Sequence, residues 1–317
     1  MVSLVISIPT FQRNDALAQL LSALQSQAHP APGFADVRIL VIDNNPDGRA
    51  KRVVNRFDNI AATYRVGYVH ETRPGVAHVR NRALAETAGD DFLAFIDDDE
   101  LPAEGWLAAL WARHKDSGAA AVFGSVEALF EGAPPGWMVE GDFHSKRVAK
   151  DGPRAKPGGT DNCLIDLERV RHHGLTFDAA LSLVGGEDTL FFDSLLQRGE
   201  RLADAAGAVT YERVPAGRDT LDWLNKRWRR TGMTDALMIA GHRGGGPTSK
   251  LRAGLDGLIR IAAGAGLVSL AWIASGAQMS ANVARRLYTF QRGLGMVDYA
   301  RGRLVLEYDR ASDDSEA

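Results

Sequence analysis

A chain of 317 residues, 45% hydrophobic and 24% charged, is long enough for one large core or two smaller ones, and its balance excludes a disordered chain. Thirty-seven basic against 40 acidic residues leave a net charge of -3, so no bulk field draws the chain to nucleic acid or to an anionic membrane, and such a partner would need a local patch. Cys163 is the one cysteine, which rules out an intrachain disulfide, fits a reducing cytoplasm and leaves that residue a packing role.

The opening residues Met1 to Ile6 lack a basic leader and the apolar run breaks at Pro9, so they are read as strand and not as a secretory signal. Leu4 to Ile8 is the first predicted strand. Asn14 or Asp15 can then cap a helix whose Leu17, Leu20, Leu21 and Leu24 recur at helical spacing. Val37 to Ile42 and Tyr64 to Val69 are the next strands. The former ends in Asp43-Asn44-Asn45-Pro46, and the latter leads through Pro74-Gly75 into a helix around Val79 to Ala88. Phe92 to Ile96 is a fourth strand that stops at Asp97-Asp98-Asp99, after which Pro102 is expected to open the helix bearing Trp106, Leu107 and Leu110. Four strand-helix repeats predict an α/β fold with a mostly parallel sheet flanked by helices. Ligands bind such sheets outside the carboxyl ends of the strands, so Thr10, Asp43 and Asp97 to Asp99 should meet at one edge, where a nucleotide would sit.

Ala119 to Phe130 reads as another strand, Glu131 to Thr160 as a loop or lid rich in proline and glycine, and Asn162 to Leu167 as a strand. A helix is expected over Glu187 to Leu196 after Gly185-Gly186, a final strand over Ala208 to Tyr211, and a helix from about Thr220 to Ile239. The break at Gly244-Gly245-Gly246-Pro247 places a boundary between a domain of residues 1–243 and a C-terminal helical extension of residues 244–308, with a disordered acidic tail at 309–317. Ile261 to Ala284 carries no charge and is flanked by Arg260, Arg285 and Arg286, yet Gln278, Asn282 and several small residues dilute it. Helices packed on the first domain, a helix in the membrane interface and a spanning helix are all compatible with that stretch.

Three carboxylates at a strand end repel one another unless a cation or hydrogen-bond donors compensate them. Asp97-Asp98-Asp99 therefore reads either as hard oxygen ligands for Mg²⁺ or Mn²⁺ bridging to a diphosphate, or as a solvated acidic turn at a helix N-terminus. Glu187-Asp188 opens an apolar helix after a glycine pair, which reads as a carboxylate held charged by helix N-terminal amides or as plain capping. Asp43 reads as a ligand-facing carboxylate or as an Asx-turn.

In chain order, Ile8-Pro9-Thr10-Phe11-Gln12-Arg13, Val41-Ile42-Asp43-Asn44-Asn45, Gly75 to Asn81, Phe95-Ile96-Asp97-Asp98-Asp99 and Gly185-Gly186-Glu187-Asp188 resemble family 2 glycosyltransferases over about residues 1 to 230. Glu212-Arg213-Val214-Pro215 with Arg218, and Arg292-Gly293-Leu294-Gly295, are similar to bacterial exopolysaccharide-type members. The resemblance implies the GT-A (Rossmann-like) fold and an inverting, metal-dependent transfer of a sugar from a nucleotide-diphosphate sugar, UDP being the usual family choice, to a carbohydrate or lipid-linked acceptor. It implies donor contacts by Pro9, Thr10, Arg13, Asp43, Gly75, Arg80, Asp97 and Asp98, with Asp43 at the base. Asp99, with Asp97, is the implied ligand of Mn²⁺ or Mg²⁺, and Asp98 stays unassigned between nucleotide and metal. Asp188 is the implied general base, with Glu187 orienting acceptor or base.

Arg227, Trp228 and Arg230 are similar to a Gln-any-any-Arg-Trp segment of processive members and are implied diphosphate or acceptor contacts, although Asn225 does not match the glutamine. A solvated face with Trp228 in the core is the other reading. The basic stretch Lys146, Arg147, Lys150, Arg154 and Lys156 can cover a donor, meet an anionic lipid-linked acceptor, or form a solvated loop. The implied location is the cytoplasm, peripheral on the cytoplasmic face of the membrane. A non-catalytic nucleotide-sugar scaffold and a nucleotidyltransferase are the rival functions, and the missing glycine-rich phosphate loop after the first strand counts against the latter.

Overall fold

Along Val2–Thr10 (β1), Leu4, Ile6 and Ile8 enter one buried cluster and Val5 the other, so alternate side chains of a single strand serve two cores. That strand divides two buried clusters. The computed structural model describes residues 2–27, 34–57, 63–241 and 246–303. Asn14–Ser26 (α1) follows β1 and buries Leu17, Leu20, Leu21 and Leu24, the apolar positions expected to face the core. Its N-cap is Arg13, and neither Asn14 nor Asp15 caps it. Phe34–Asp43 (β2), Lys51–Phe57 (α2), Arg65–His70 (β3), Val76–Glu86 (α3) and Phe92–Ile96 (β4) continue the alternation. β1 pairs in parallel with both β2 and β4, and β2 in parallel with β3.

The next elements depart from the expected pattern. Pro102 does not open a helix. Glu100–Pro102 (β5) is a short strand antiparallel to Leu202–Val214 (β9), and Trp106–Ser117 (α4) starts only after Gly105. Proline is tolerated there because β5 lies at the end of the strand order, where a missing N–H breaks no second ladder. Ala121–Phe130 (β6), Gly136–Gly141 (α5), Gly152–Arg154 (β7), Asn162–Asp166 (β8), Leu167–His172 (α6), a 3₁₀ turn at Ala179–Leu181 and Glu187–Gln197 (α7) precede β9. The segment expected to be a bare loop thus holds α5 and β7.

Among the described residues nine strands form one sheet, in the order β3-β2-β1-β4-β8-β6-β9-β5, with β7 on β9. The expectation of a mostly parallel sheet needs correction: the sheet is parallel from β3 to β4 and antiparallel at β4–β8, β6–β8, β7–β9 and β5–β9. Parallel neighbours need a helical crossover, and that repeat ends with β4. Asn162, fully buried, ties the antiparallel half together. Its Nδ2 donates to the carbonyls of Ser125 (2.9 Å) and Ala208 (3.0 Å), and its Oδ1 accepts from Trp106 Nε1 at 2.7 Å. Cys163 beside it is wholly buried, in keeping with packing.

The chain forms two compact units. One comprises Met1–Glu127, Ser145–Leu183 and Glu187–Arg213; the other comprises Ala128–His144, Val184–Gly186 and Val214–Ala317. The second unit contains Leu221–Ala240 (α8), Pro247–Ala274 (α9) and Ala281–Ala300 (α10). Thr220 caps α8, its hydroxyl accepting from Trp223 N. The boundary expected at residues 243 and 244 and the acidic tail lie outside the described residues. The uncharged stretch Ile261 to Ala284 is not one helix, because a turn at 275–280 separates α9 from α10.

Replacing Asn162 by alanine should cost about 2–3 kcal/mol, because it orphans an indole N–H and two carbonyls inside the core. Urea denaturation of Asn162→Ala measures this, and a loss below about 0.5 kcal/mol would contradict the tie.

Candidate active site

Four strand ends of the first unit deliver the residues singled out above. At the end of β1 the Thr10 hydroxyl donates to Asp98 Oδ2 at 2.7 Å, and Arg13 reaches Asp98 Oδ1 at 2.9 Å and Asp99 Oδ2 at 2.7 Å. Asp98 is buried, whereas Asp97 and Asp99 on either side are half-buried. The triplet therefore divides. Asp98 anchors β4 to β1, and its neighbours keep access to solvent. Burial pushes the Asp98 carboxyl upward against the pull of Arg13.

Asp97 is pushed up to about 7, first by burial and then by the charges of Asp99 and Asp161, against the pull of Arg80 and Lys146. Burial, with Asp97 and Asp161 nearby, holds Glu100 well above the usual carboxylate range. Asp161, which no sequence motif marked, is the residue that links these groups. Burial opposes its charge, but the Lys146 ammonium in contact with it outweighs that cost and holds it below the usual range. Lys146 is thus paired, as are Arg147 with Glu127 (2.6 Å) and Arg154 with Asp204 (2.5 Å). Three of the five basic residues are thus paired within the first unit, while Lys150 and Lys156 are exposed.

At the end of β2, Asp43 accepts from Asn45 N (2.9 Å), Ala50 N (2.9 Å) and Tyr68 Oη (3.1 Å). It orders the β2–α2 turn, the arrangement of an Asx-turn. Asn44 does the same for the next loop, donating to the carbonyls of Glu71 (2.6 Å) and Arg73 (2.8 Å) and accepting from Gly75 N at 3.0 Å. The hydrogen bond from Arg73 holds Glu71 down at about 2. Gly75 has φ 113°, and a Cβ there would lie 2.4 Å from Ser182 Cβ, so both conformation and space require glycine. Pro9 sits in β1 opposite Ile42, past the end of the ladder with β4, where its missing N–H costs nothing.

Arg80, on α3, does not stand free toward a ligand: its guanidinium is paired with Glu187, and both are buried. Glu187 begins α7 directly after Gly185 and Gly186, both at positive φ. The pair holds the first turn of α7 against α3. Asp188, one residue on, is half-buried, and its Oδ1 accepts from Thr189 N at 2.6 Å. Its Oδ2 lies 3.3 Å from the position a Cβ would take at Gly159, and Asp161 Oδ1 lies 2.6 Å from that same point. Two carboxylates thus converge over one glycine. Gly159 has no left-handed φ, and a Cβ there would press on these two carboxylates. Such a cluster can bind hydroxyl protons on one side and, through Asp97 and Asp99, a hard cation on the other.

In the second unit Trp228 belongs to a buried cluster with Met138, Leu224 and Ala284, its ring 5.4 Å from Phe143 and 5.8 Å from Tyr288. The core reading of Trp228 is the one the structure shows. Arg227 lies over the Trp223 ring at 5.1 Å, and Arg230 is half-buried on α8. The adjacent His172 and His173 stack edge to face, and His173 contacts Glu200 at 2.8 Å.

Residues 5–169 match the family described as Glycosyl transferase family 2. The Succinoglycan biosynthesis protein ExoM of Rhizobium meliloti (strain 1021) is 34% identical over 235 residues, 74% of each chain, and Glycosyltransferase AglE of Haloferax volcanii is 25% identical over 39% of each. Among solved structures the chain is similar to mannosyltransferase PcManGT from Pyrobaculum calidifontis in complex with GDP-Man and Mn²⁺, with TM-score 0.54, 20% identity, and coverage of 75% of this chain and 63% of that one. It is also similar to S. aureus TarS 1-349 in complex with UDP-GlcNAc, with TM-score 0.53, 15% identity, and coverage of 96% and 93%. These likenesses show the GT-A fold.

Arg80→Met should destabilise the first unit by about 3–5 kcal/mol, because it leaves the Glu187 charge buried and unpaired, and Arg80→Met/Glu187→Met should recover most of that loss. Reversible denaturation of both variants tests the pair. Equal losses in the two would place the cost elsewhere.

Proposed function

The chain belongs to glycosyl transferase family 2, and we propose that it is an inverting, metal-dependent enzyme moving one sugar from a nucleotide-diphosphate sugar, a UDP-sugar by preference, to a carbohydrate or lipid-linked acceptor. The observation that carries this reading is the split of the aspartate triplet. Asp98 is buried and held by both Thr10 and Arg13, while Asp99, which shares Arg13, and Asp97 remain half-buried at the strand end.

Those two carboxylates fit Mn²⁺ or Mg²⁺. No ready-made cluster of three or more ligating side chains occurs among the described residues, and a two-carboxylate set leaves coordination positions for diphosphate oxygens. Asp97, pushed up to about 7 by its surroundings, is a site where a cation would hold a carboxylate ionised. Bound there, the ion supplies Lewis-acid stabilisation of the departing diphosphate.

The chain's own residues do the rest. Pro9, Thr10 and the turns ordered by Asp43 and Gly75 frame the nucleoside, and Arg13 keeps Asp98 and Asp99 in place. Asp188 accepts the proton of the acceptor hydroxyl as that oxygen bonds the anomeric carbon and the bond to the diphosphate oxygen breaks on the opposite face, which inverts the centre. Glu187, fixed by Arg80, sets the direction of the turn that aims Asp188. Asp161 stands beside Asp188 and offers a second acceptor oxygen to a neighbouring sugar hydroxyl. For Arg227 and Arg230 the proposal is chemical: guanidinium groups suit diphosphate or acceptor oxygens. The setting proposed is bacterial polysaccharide or glycoconjugate synthesis, which the 34% identity to a succinoglycan biosynthesis protein supports, and the location proposed is the cytoplasm, at the cytoplasmic face of the membrane.

With purified protein, Mn²⁺ and a panel of nucleotide sugars, release of nucleoside diphosphate is expected, whereas pyrophosphate would indicate nucleotidyl transfer. Asp188→Asn should lower turnover by about 10²- to 10⁴-fold with UDP binding retained in calorimetry. Asp99→Ala should weaken Mn²⁺-dependent UDP binding. Full activity in either variant would remove that residue from the mechanism.

A further inference from the structure

The two long sides of α9 differ in kind. At 100° per residue Ala253, Gly257, Gly264 and Ala271, all buried, fall within about 40° of one another. This side meets α10 backbone to backbone: a Cβ at Gly257 would lie 2.8 Å from Gly293 O, one at Gly293 2.7 Å from Gly257 O, and one at Gly264 2.8 Å from Phe290 N. The opposite side carries Leu251, Leu255, Leu258, Ile259, Leu270 and Ile273, each between 53% and 74% exposed, with Trp272 at one margin at 41%. Two exposed apolar groups, Leu251 to Ile259 and Leu270 to Ile273, thus share one side of the helix with only small residues between them, and a surface of this kind marks a contact.

We propose that α9 is an in-plane docking helix for an anionic phospholipid bilayer, its Leu251-to-Ile273 face lowered into the headgroup boundary. Charge names the occupant. Residues 246–303 hold eight basic side chains and two acidic ones, and residues 304–317 add one basic and five acidic. Both acids of residues 246–303 are paired within the second unit, Asp256 with Arg260 at 3.2 Å and Asp298 with Arg229 at 2.5 Å. Lys250, Arg252, Arg285, Arg286, Arg301 and Arg303 are exposed. Lys250 and Arg252 lie on the first turns of α9 itself, where anionic headgroups neutralise them and a second copy of this chain brings only the same cations.

By length and composition alone α9 could cross a membrane, and its charges favour lying in the interface. The first half of α9 carries Lys250, Arg252, Asp256 and Arg260, so the uncharged part runs only from Ile261 to Ala274, roughly 21 Å at 1.5 Å per residue against about 30 Å of hydrocarbon. The glycine contacts would also draw α10 with its arginines into the bilayer. One apolar side with a basic margin is the pattern of an interfacial helix. This contact specifies the membrane-face location proposed above. It rests on the helix face and not on the transfer chemistry, so the two can fail separately.

Sedimentation of the full chain with vesicles of phosphatidylcholine alone, or of equimolar phosphatidylcholine and phosphatidylglycerol, tests it. Binding to the anionic vesicles is expected about tenfold or more above the neutral ones, and it should weaken with added salt. Ile259→Glu/Leu270→Glu replaces two side chains that are each 66% exposed, so folding should be kept, as thermal denaturation would verify, while vesicle binding falls about a hundredfold. Arg285→Ala/Arg286→Ala should lower it about tenfold. UDP binding should be unchanged in both variants. Equal partition of wild type and the glutamate variant, or no vesicle binding by wild type, would overturn the proposal. So would a concentration-dependent dimer that the glutamate variant abolishes without any vesicle binding.

Discussion

Compensation of charge at the end of β4 is the constraint on which the first unit depends. Three consecutive aspartates and a glutamate leave that strand within reach of Asp161, an arrangement that repels itself unless cations and donors are supplied. Arg13 and Thr10 from the β1 end answer Asp98 and Asp99, Lys146 answers Asp161, and Arg80 answers Glu187. Each cation comes from a different element, so the sheet edge is assembled by the same contacts that make it tolerable. Buried ion pairs of this kind contribute modestly to net stability but heavily to arrangement, since any one partner alone is costly.

The parallel half of the fold was legible because its strands are short apolar runs ending in polar turns, and α1 repeats its leucines at helical spacing. Leu17, Leu20, Leu21 and Leu24 are buried as that pattern requires. What escaped was set by partners far along the chain. β5 exists because β9 offers a ladder to Glu100, Leu101 and Pro102, and nothing local distinguishes it from a helix start with proline near its first position. α5 and β7 hide in a stretch whose prolines and glycines read as loop.

The candidate site divides in the same way. Asp97, Asp99 and Asp188 stood at legible strand and helix ends. Arg80 was expected toward a ligand, and its pairing with Glu187, 107 positions away, could not be read from either motif. Asp161 had a faint signal: two glycines precede it by two and three positions, and Gly159 has no backbone conformation that demands glycine. Asp43 shows a different limit. A strand-end aspartate followed by Asn-Asn-Pro is the pattern of a ligand contact and of an Asx-turn alike, and its carboxylate is occupied by the turn.

The touching backbones of Gly257 and Gly293 bear on how this molecule can change over time. A contact with no side chain between the helices has no intermediate size: the smallest enlargement forces the axes apart along their whole length, and every neighbouring contact with them. The outer surface of α9, exposed among the described residues, can be rewritten one residue at a time. Descendants of this sequence are therefore free to retune what the helix meets outside while inheriting the α9–α10 pair as a single unbroken piece.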